Sequence, residues 1–211
     1  MERFTGPHDY FDQDYVDEWA EIANTRRPHR ARFFEAFVTE LSRLDRPDVL
    51  DLGAGPGFLA EQALTRCDVS SYHLLDFSPR MIELARDRLA RFGGRAFFHQ
   101  ADFLEDGWWR TLPQGFDAVV SLQAVHEVRD AEKIAELYSG VAMIVAEGGK
   151  IIVADKLDFV TEEGTGHLTI EDHRRALERA GFSEFRRVLE VEDIIMFEAT
   201  RDGALLHGRE L

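Results

Sequence analysis

Short apolar runs and helical apolar stripes alternate along most of this chain. Val49-Leu50-Asp51-Leu52 reads as a short buried strand entering glycine. Phe58 to Thr65 then reads as a helix. Tyr72-His73-Leu74-Leu75 predicts a second strand ending at Asp76. Ser78 is placed to cap the next helix, and Pro79 suits its first turn. Met81, Ile82, Leu84, Ala85 and Leu89 form that helix's apolar side, and Gly93-Gly94 ends it. Ala96 to His99 and Phe116 to Leu122 predict strands three and four. Ala131 to Val145 predicts a helix broken by Gly148-Gly149, and Lys150 to Ala154 a fifth strand. The last part changes rhythm. A helix from Thr169 to Ala180 closes at Gly181, and two strand-like runs follow without a helix between them, Phe185 to Val191 and Ile194 to Thr200. They should pair as a hairpin.

Repeated strand–helix units imply a parallel sheet with helices on both faces, and the terminal hairpin adds an antiparallel strand at its edge. The expected fold class is α/β, a three-layer doubly wound Rossmann-like sheet of seven strands, mostly parallel, with an added N-terminal helical segment. Residues 8–46 read as helical, with Phe33, Phe34, Phe37, Val38 and Leu41 at helical spacing until Pro47 stops the pattern. The division expected is residues 1–46 as a helical lid or appendage and residues 47–211 as the core.

Composition narrows the partners. The formal net charge of -15 weighs against nucleic acid, which demands a basic surface. The single cysteine, Cys67, permits no internal disulfide, and no metal-ligand spacing is present. No apolar run is long enough to span a bilayer. The N-terminal residues lack the apolar stretch of a secretory signal. A cytoplasmic protein is expected, with no membrane partner and no metal; the oligomeric state is open.

The chemistry starts at Gly53-Ala54-Gly55-Pro56-Gly57, which follows a predicted strand and opens a helix. Such a loop turns tightly and lets a ligand approach the backbone, at the carboxyl ends of the strands. Its Gly-x-Gly-x-Gly spacing disfavours a dinucleotide, whose fingerprint needs the third glycine one position later, where Phe58 stands. Asp76, at the end of the second strand, suits a ribose diol, since a carboxylate accepts two hydrogen bonds.

With these residues in order, the sequence resembles the class I S-adenosylmethionine-dependent methyltransferases over roughly residues 48–200. Val49 to Gly57 looks like that family's first motif, whose loop backbone contacts the methionine part of the cofactor. Leu75-Asp76-Phe77-Ser78-Pro79-Arg80-Met81 is similar to its second, whose acid binds ribose. Ala101-Asp102-Phe103 sits where the family commonly places an aspartate toward the adenine amino group. Phe116 to Ser121 resembles the fourth-strand motif. Ala146-Glu147-Gly148-Gly149-Lys150 is similar to the turn before strand five, with Glu147 in place of the usual proline.

The resemblance implies S-adenosyl-L-methionine as cofactor, S-adenosyl-L-homocysteine as product, and a small-molecule methyl acceptor. The cofactor residues implied are Asp51, Gly53, Ala54, Gly55, Gly57, Asp76, Phe77, Met81, Ala101, Asp102, Phe103, Ser121 and Gln123. Asp51 would hold loop amides or the cofactor's ammonium. Phe77 and Met81 would pack on adenine or simply in the core. His126, after strand four, is the general-base candidate, because an unperturbed imidazole titrates near neutrality. Tyr10, Tyr15 and Trp19 belong to an aromatic N-terminal stretch expected to close over the site. Arg26, Arg27, His29, Arg30 and Arg32 form a basic cluster able to attract an anionic acceptor or simply to face solvent. The fourth-strand segment lacks the Asn/Asp-Pro-Pro-Tyr and Pro-Cys patterns of base-modifying enzymes. Two further readings remain open: a methyltransferase acting on protein or RNA, and a non-catalytic cofactor-binding module.

Overall fold

A computed structural model of the chain describes residues 9–157 and 168–203. Thirteen main elements are formed by these residues. They are α1 (Gln13–Arg26), α2 (Arg30–Leu41), β1 (Asp48–Leu52), α3 (Phe58–Arg66), β2 (Ser71–Asp76), α4 (Pro79–Leu89), β3 (Ala96–Gln100), β4 (Phe116–Leu122), α5 (Ala131–Ile144), β5 (Val145–Lys156), α6 (Ile170–Arg179), β6 (Phe182–Val191) and β7 (Ile194–Arg201). Short 3-10 turns separate some of them.

The strands form one seven-stranded sheet in the order β3-β2-β1-β4-β5-β7-β6. β1 to β5 run parallel, and β7 is inserted antiparallel between β5 and β6. The chain therefore leaves β1 to one side for β2 and β3, then returns to the other side for β4. That reversal opens a crevice beyond the carboxyl ends of β1 and β4, where a ligand can enter without displacing a crossover helix.

Central strands are apolar on both faces because both are covered. Successive side chains point to opposite layers. Leu50, Val119 and Ile151 belong to the core under α5 and α6. Val49, Val120 and Ile152 belong to the core under α2, α3 and α4.

The predicted doubly wound fold is present, and its element boundaries differ in three places. The N-terminal helical stretch is two helices, broken at Arg27-Pro28-His29. A proline disfavours helical backbone in the residue before it, and Arg27 leaves the helix at φ -129°, ψ 66°. β5 starts at Val145, five residues before the expected Lys150, because a register irregularity lets Val145 pair with Phe116 ahead of the regular ladder. β6 starts at Phe182 and not Phe185. Glu184 adopts φ 52°, and the register shifts between Ser183 and Arg186. Each bulge interrupts the two-residue alternation by which a strand is read from sequence. The sequence between Lys156 and Leu168 is too short to hold an inserted domain, and most of it lies outside the described residues.

Candidate functional site

The loop after β1 is fixed by three backbone donors. Gly53 and Ala54 donate to the Leu75 carbonyl at 2.9 and 3.1 Å. Gly55 donates to Asp76 Oδ2 at 2.8 Å. The other Asp76 oxygen accepts from the Ser78 N–H at 2.9 Å, at the start of α4. One carboxylate thus ties the glycine loop to the α4 N-terminus. Burial pushes its pKa up to about 6, against the opposing pull of the Ser78 and Gly55 amides.

Gly53 has φ 67°, and a Cβ there would lie 2.3 Å from the Ala124 Cβ. Only glycine allows β1 to turn this close to the segment after β4. Gly57 answers to a different demand. At φ 77° it opens α3, and a Cβ would press on Leu89, Ala85 and Leu74. It packs helix against core and is not in the cleft wall.

The cleft has a volume of about 380 Å³, within the range of small-molecule sites. Asp51 and the Gly53-Ala54-Gly55 loop line one side. Asp76, Phe77 and Met81 continue the wall, followed by Ala101, Asp102 and Phe103. Leu122, Gln123, Ala124 and Glu127 contribute from beyond β4, and Tyr10, Phe11, Trp19 and Arg30 from the N-terminal segment.

Two further acids on this wall are held by different contacts. Asp51 is almost fully buried and accepts from the Tyr72 hydroxyl at 3.0 Å. Burial raises its pKa to about 8, with Tyr72 and Arg30 pulling the other way and Asp76 adding to the rise. The expectation that Asp51 would hold loop amides is corrected here, since those amides go to Leu75 and Asp76. Asp102 Oδ1 accepts from the Leu104 N–H at 2.8 Å, an Asx turn that presents the side chain at the cleft.

The N-terminal segment is docked on α4. The Ser78 hydroxyl donates to the Tyr10 carbonyl at 2.6 Å, and Arg80 binds Asp17 through two hydrogen bonds of 2.8 and 3.0 Å. Phe77 meets Tyr10 and Phe11 with ring centroids at 5.9 and 5.4 Å. Burial, with Tyr15 and Glu127 nearby, pushes the Tyr10 phenol up to about 12, so it stays protonated at neutral pH. Tyr15 packs edge-on against Tyr10 at 5.7 Å and stands behind the wall, not in it.

Two other expected positions also stand outside the wall. Ser121 is buried and donates to the Leu52 carbonyl at 2.9 Å, bracing β4 to β1. His126 lies beside the cleft, one residue from Glu127. Its Nδ1 meets Asp155 Oδ1 at 2.6 Å and its backbone N–H donates to Asp155 Oδ2 at 2.9 Å. Its Nε2 is 3.5 Å from Glu127 Oε1. Burial resists charging of this imidazole, but Asp155, aided by Glu127, prevails and raises its pKa.

Asp155 was not singled out by the sequence, and Arg30 entered only as one member of the basic cluster able to attract an anionic acceptor or to face solvent. Asp155 had one signal: it follows Ala154, which pairs with Leu122 at the end of β4. An acid there must lie beside the residues after β4.

An open α/β sheet with a ligand-sized cleft at its reversal point has the architecture in which such folds bind their ligands, and the fold alone does not name the ligand. Comparison with known proteins narrows this. The methyltransferase domain family matches residues 49–149. An uncharacterized methyltransferase of Geobacillus kaustophilus is 31% identical over 189 residues, which cover 85% of this chain and 80% of that protein. Among solved structures, magnesium protoporphyrin IX methyltransferase from Synechocystis PCC 6803, with bound S-adenosylmethionine, superimposes with a TM-score of 0.71 at 20% identity, covering 96% of this chain and 98% of that one. Human N-acetylserotonin methyltransferase in complex with S-adenosylmethionine gives 0.71 at 19% identity, covering 92% of this chain and 57% of that one. This chain belongs to the class I S-adenosylmethionine-dependent methyltransferases.

The cofactor of the family is S-adenosyl-L-methionine, and the residues present fit it. A buried acid stands at the end of β2 beside a half-buried loop that lines the cleft. The Gly55 position is open toward the cleft, with nothing nearer to an added Cβ than Met81 Sδ at 3.9 Å. Among the described residues, no helix is long and apolar enough to cross a membrane.

Proposed function

We propose that this protein transfers a methyl group from S-adenosyl-L-methionine to a small-molecule acceptor. The observation that carries the reading is the cleft lined by both the glycine loop and Tyr10, Phe11 and Trp19 of the N-terminal segment. A cleft so lined admits a small molecule more readily than a folded macromolecule, and the charge of -15 opposes nucleic acid.

When bound, the sulfonium supplies an electrophilic methyl carbon. The work of the chain is then to bind, orient and exclude water. Asp76 accepts from ribose hydroxyls, Asp102 from the adenine amino group, and Phe77 and Met81 pack against the base. Asp51, whose pKa burial raises to about 8, is ionised by an ammonium that binds beside it and then pairs with that charge. Of residues 1–46, expected as a lid over the core of residues 47–211, α2 packs into the core of the sheet, and the lid role falls to the stretch ahead of it, where Tyr10, Phe11 and Trp19 line the cleft and keep water from the reacting centre. The His126–Asp155 pair takes the acceptor's proton, with Asp155 fixing the ring and stabilising the imidazolium. Gln123 positions the acceptor side of the cleft.

The test is transfer of label from methyl-labelled cofactor into a cell extract, followed by separation by size. Label in the small-molecule fraction is expected. Label confined to protein or RNA, or cofactor binding without any labelled product, overturns the reading.

A further inference from the structure

Three buried side-chain atoms among the described residues have no hydrogen-bond partner: His29 Nε2, Arg30 Nε and Glu198 Oε2. Of these residues only Arg30 is part of the cleft wall. It is 6% exposed, and a guanidinium is rarely buried without a matching acceptor. Its Nη1 donates to Gln123 Oε1 at 3.3 Å. Its Cζ lies over the Trp19 ring at 5.9 Å and over the Phe34 ring at 5.6 Å. These contacts hold the group and leave Nε without an acceptor. Asp51 lines the same cleft, and its Oδ2 is turned to Tyr72. The guanidinium remains charged at neutral pH, since burial lowers its pKa only to about 10.

We propose that Arg30, steadied by Gln123, is a carboxylate-binding subsite of the cleft. A guanidinium edge matches the two oxygens of a carboxylate in geometry and charge. Two sources present that chemistry: the amino-acid end of the cofactor, and an acidic acceptor. Both rest on the methyltransferase reading above; the carboxylate site itself does not require it.

The experiment is calorimetry on wild type, Arg30→Gln and Arg30→Lys, with melting temperatures confirming that each variant folds. The nucleoside arm compares S-adenosylhomocysteine with 5′-methylthioadenosine, which keeps the nucleoside thioether and lacks the amino acid. Loss of at least roughly ten-fold in S-adenosylhomocysteine affinity in Arg30→Gln, with 5′-methylthioadenosine unchanged, assigns the site to the cofactor carboxylate. Arg30→Lys should fall between, keeping the charge without the fork. The acceptor arm titrates benzoate against benzamide, with and without S-adenosylhomocysteine. Benzoate binding that exceeds benzamide binding and vanishes in Arg30→Gln assigns it to the acceptor. Equal affinities for all probes in wild type and Arg30→Gln overturn the proposal. If wild type binds neither nucleoside, the cofactor reading falls, and the carboxylate site stands or falls on the benzoate arm.

Discussion

Asp155 holds His126 at two points, accepting from its backbone N–H at 2.9 Å and meeting its Nδ1 at 2.6 Å. The carboxylate is fully buried. A buried acid on Nδ1 fixes ring orientation and favours the imidazolium, which directs proton exchange to Nε2. NMR titration of the His126 ring checks this without knowledge of the acceptor. In wild type the pKa should lie above the ordinary imidazole value. Asp155→Asn removes the negative charge, leaves burial in place, and should drop the pKa below that value. An unchanged titration would show that Asp155 only braces the backbone.

Asp76 predicts a pH dependence of cofactor binding. A carboxylate accepts from ribose hydroxyls; a protonated carboxyl loses part of that capacity. With the Asp76 pKa raised to about 6 by burial, bound cofactor favours the ionised form, so affinity for S-adenosylhomocysteine should fall as pH drops through this value. Asp76→Ala should weaken binding by about 1–3 kcal/mol at neutral pH and flatten the profile between mildly acidic and neutral pH. Retained affinity would remove the ribose role and leave only the bracing of Gly55 and Ser78.

Gly53 and Gly55 should separate fold from function. Gly53→Ala puts a Cβ 2.3 Å from Ala124 Cβ at positive φ and should destabilise the protein by about 2–4 kcal/mol. Gly55→Ala meets nothing closer than 3.9 Å, so it should cost about 1 kcal/mol of stability while intruding on the cleft. Urea denaturation and cofactor titration of the two variants report the contrast. Equal stability losses would contradict it.

His73 predicts acid sensitivity. It is buried, stacked on Phe97 with centroids at 4.6 Å and joined to His99 at 2.9 Å. Burial, reinforced by His99, lowers its pKa to about 4. A depressed histidine contributes stability that is complete above the unfolded value of about 6.5 and is lost as pH falls toward 4. Asp51 and Asp76, with raised pKa values, act in the opposite sense over part of this window. The comparison must therefore be between variants. Thermal melts of His73→Phe should lose on the order of 1–3 kcal/mol less stability than wild type on acidification through this range. Parallel pH curves would refute the assignment.

The sheet was readable because its central strands are continuous apolar runs buried on both faces, as in Leu50, Val119 and Ile152. The starts of β5 and β6 were not, because bulges near Phe116 and Glu184 break the alternation that marks a strand. The glycine loop and Asp76 were legible as a motif, since both lie where one β–α unit meets the next. Ser121 and Gly57 carry motif spacing but face bracing and packing contacts, and sequence alone does not reveal orientation. Arg30 looked like one member of a basic cluster. Its burial depends on α2 crossing toward Gln123, 93 positions away, a juxtaposition no local pattern encodes.

The central claim is that the cleft between the glycine loop and Asp76 holds S-adenosylmethionine. Isothermal titration of the purified protein tests it most directly. Saturable binding of both S-adenosylmethionine and S-adenosylhomocysteine is expected, weakened by Asp76→Ala. Absence of binding by either compound at millimolar concentration, in a folded sample, would contradict it.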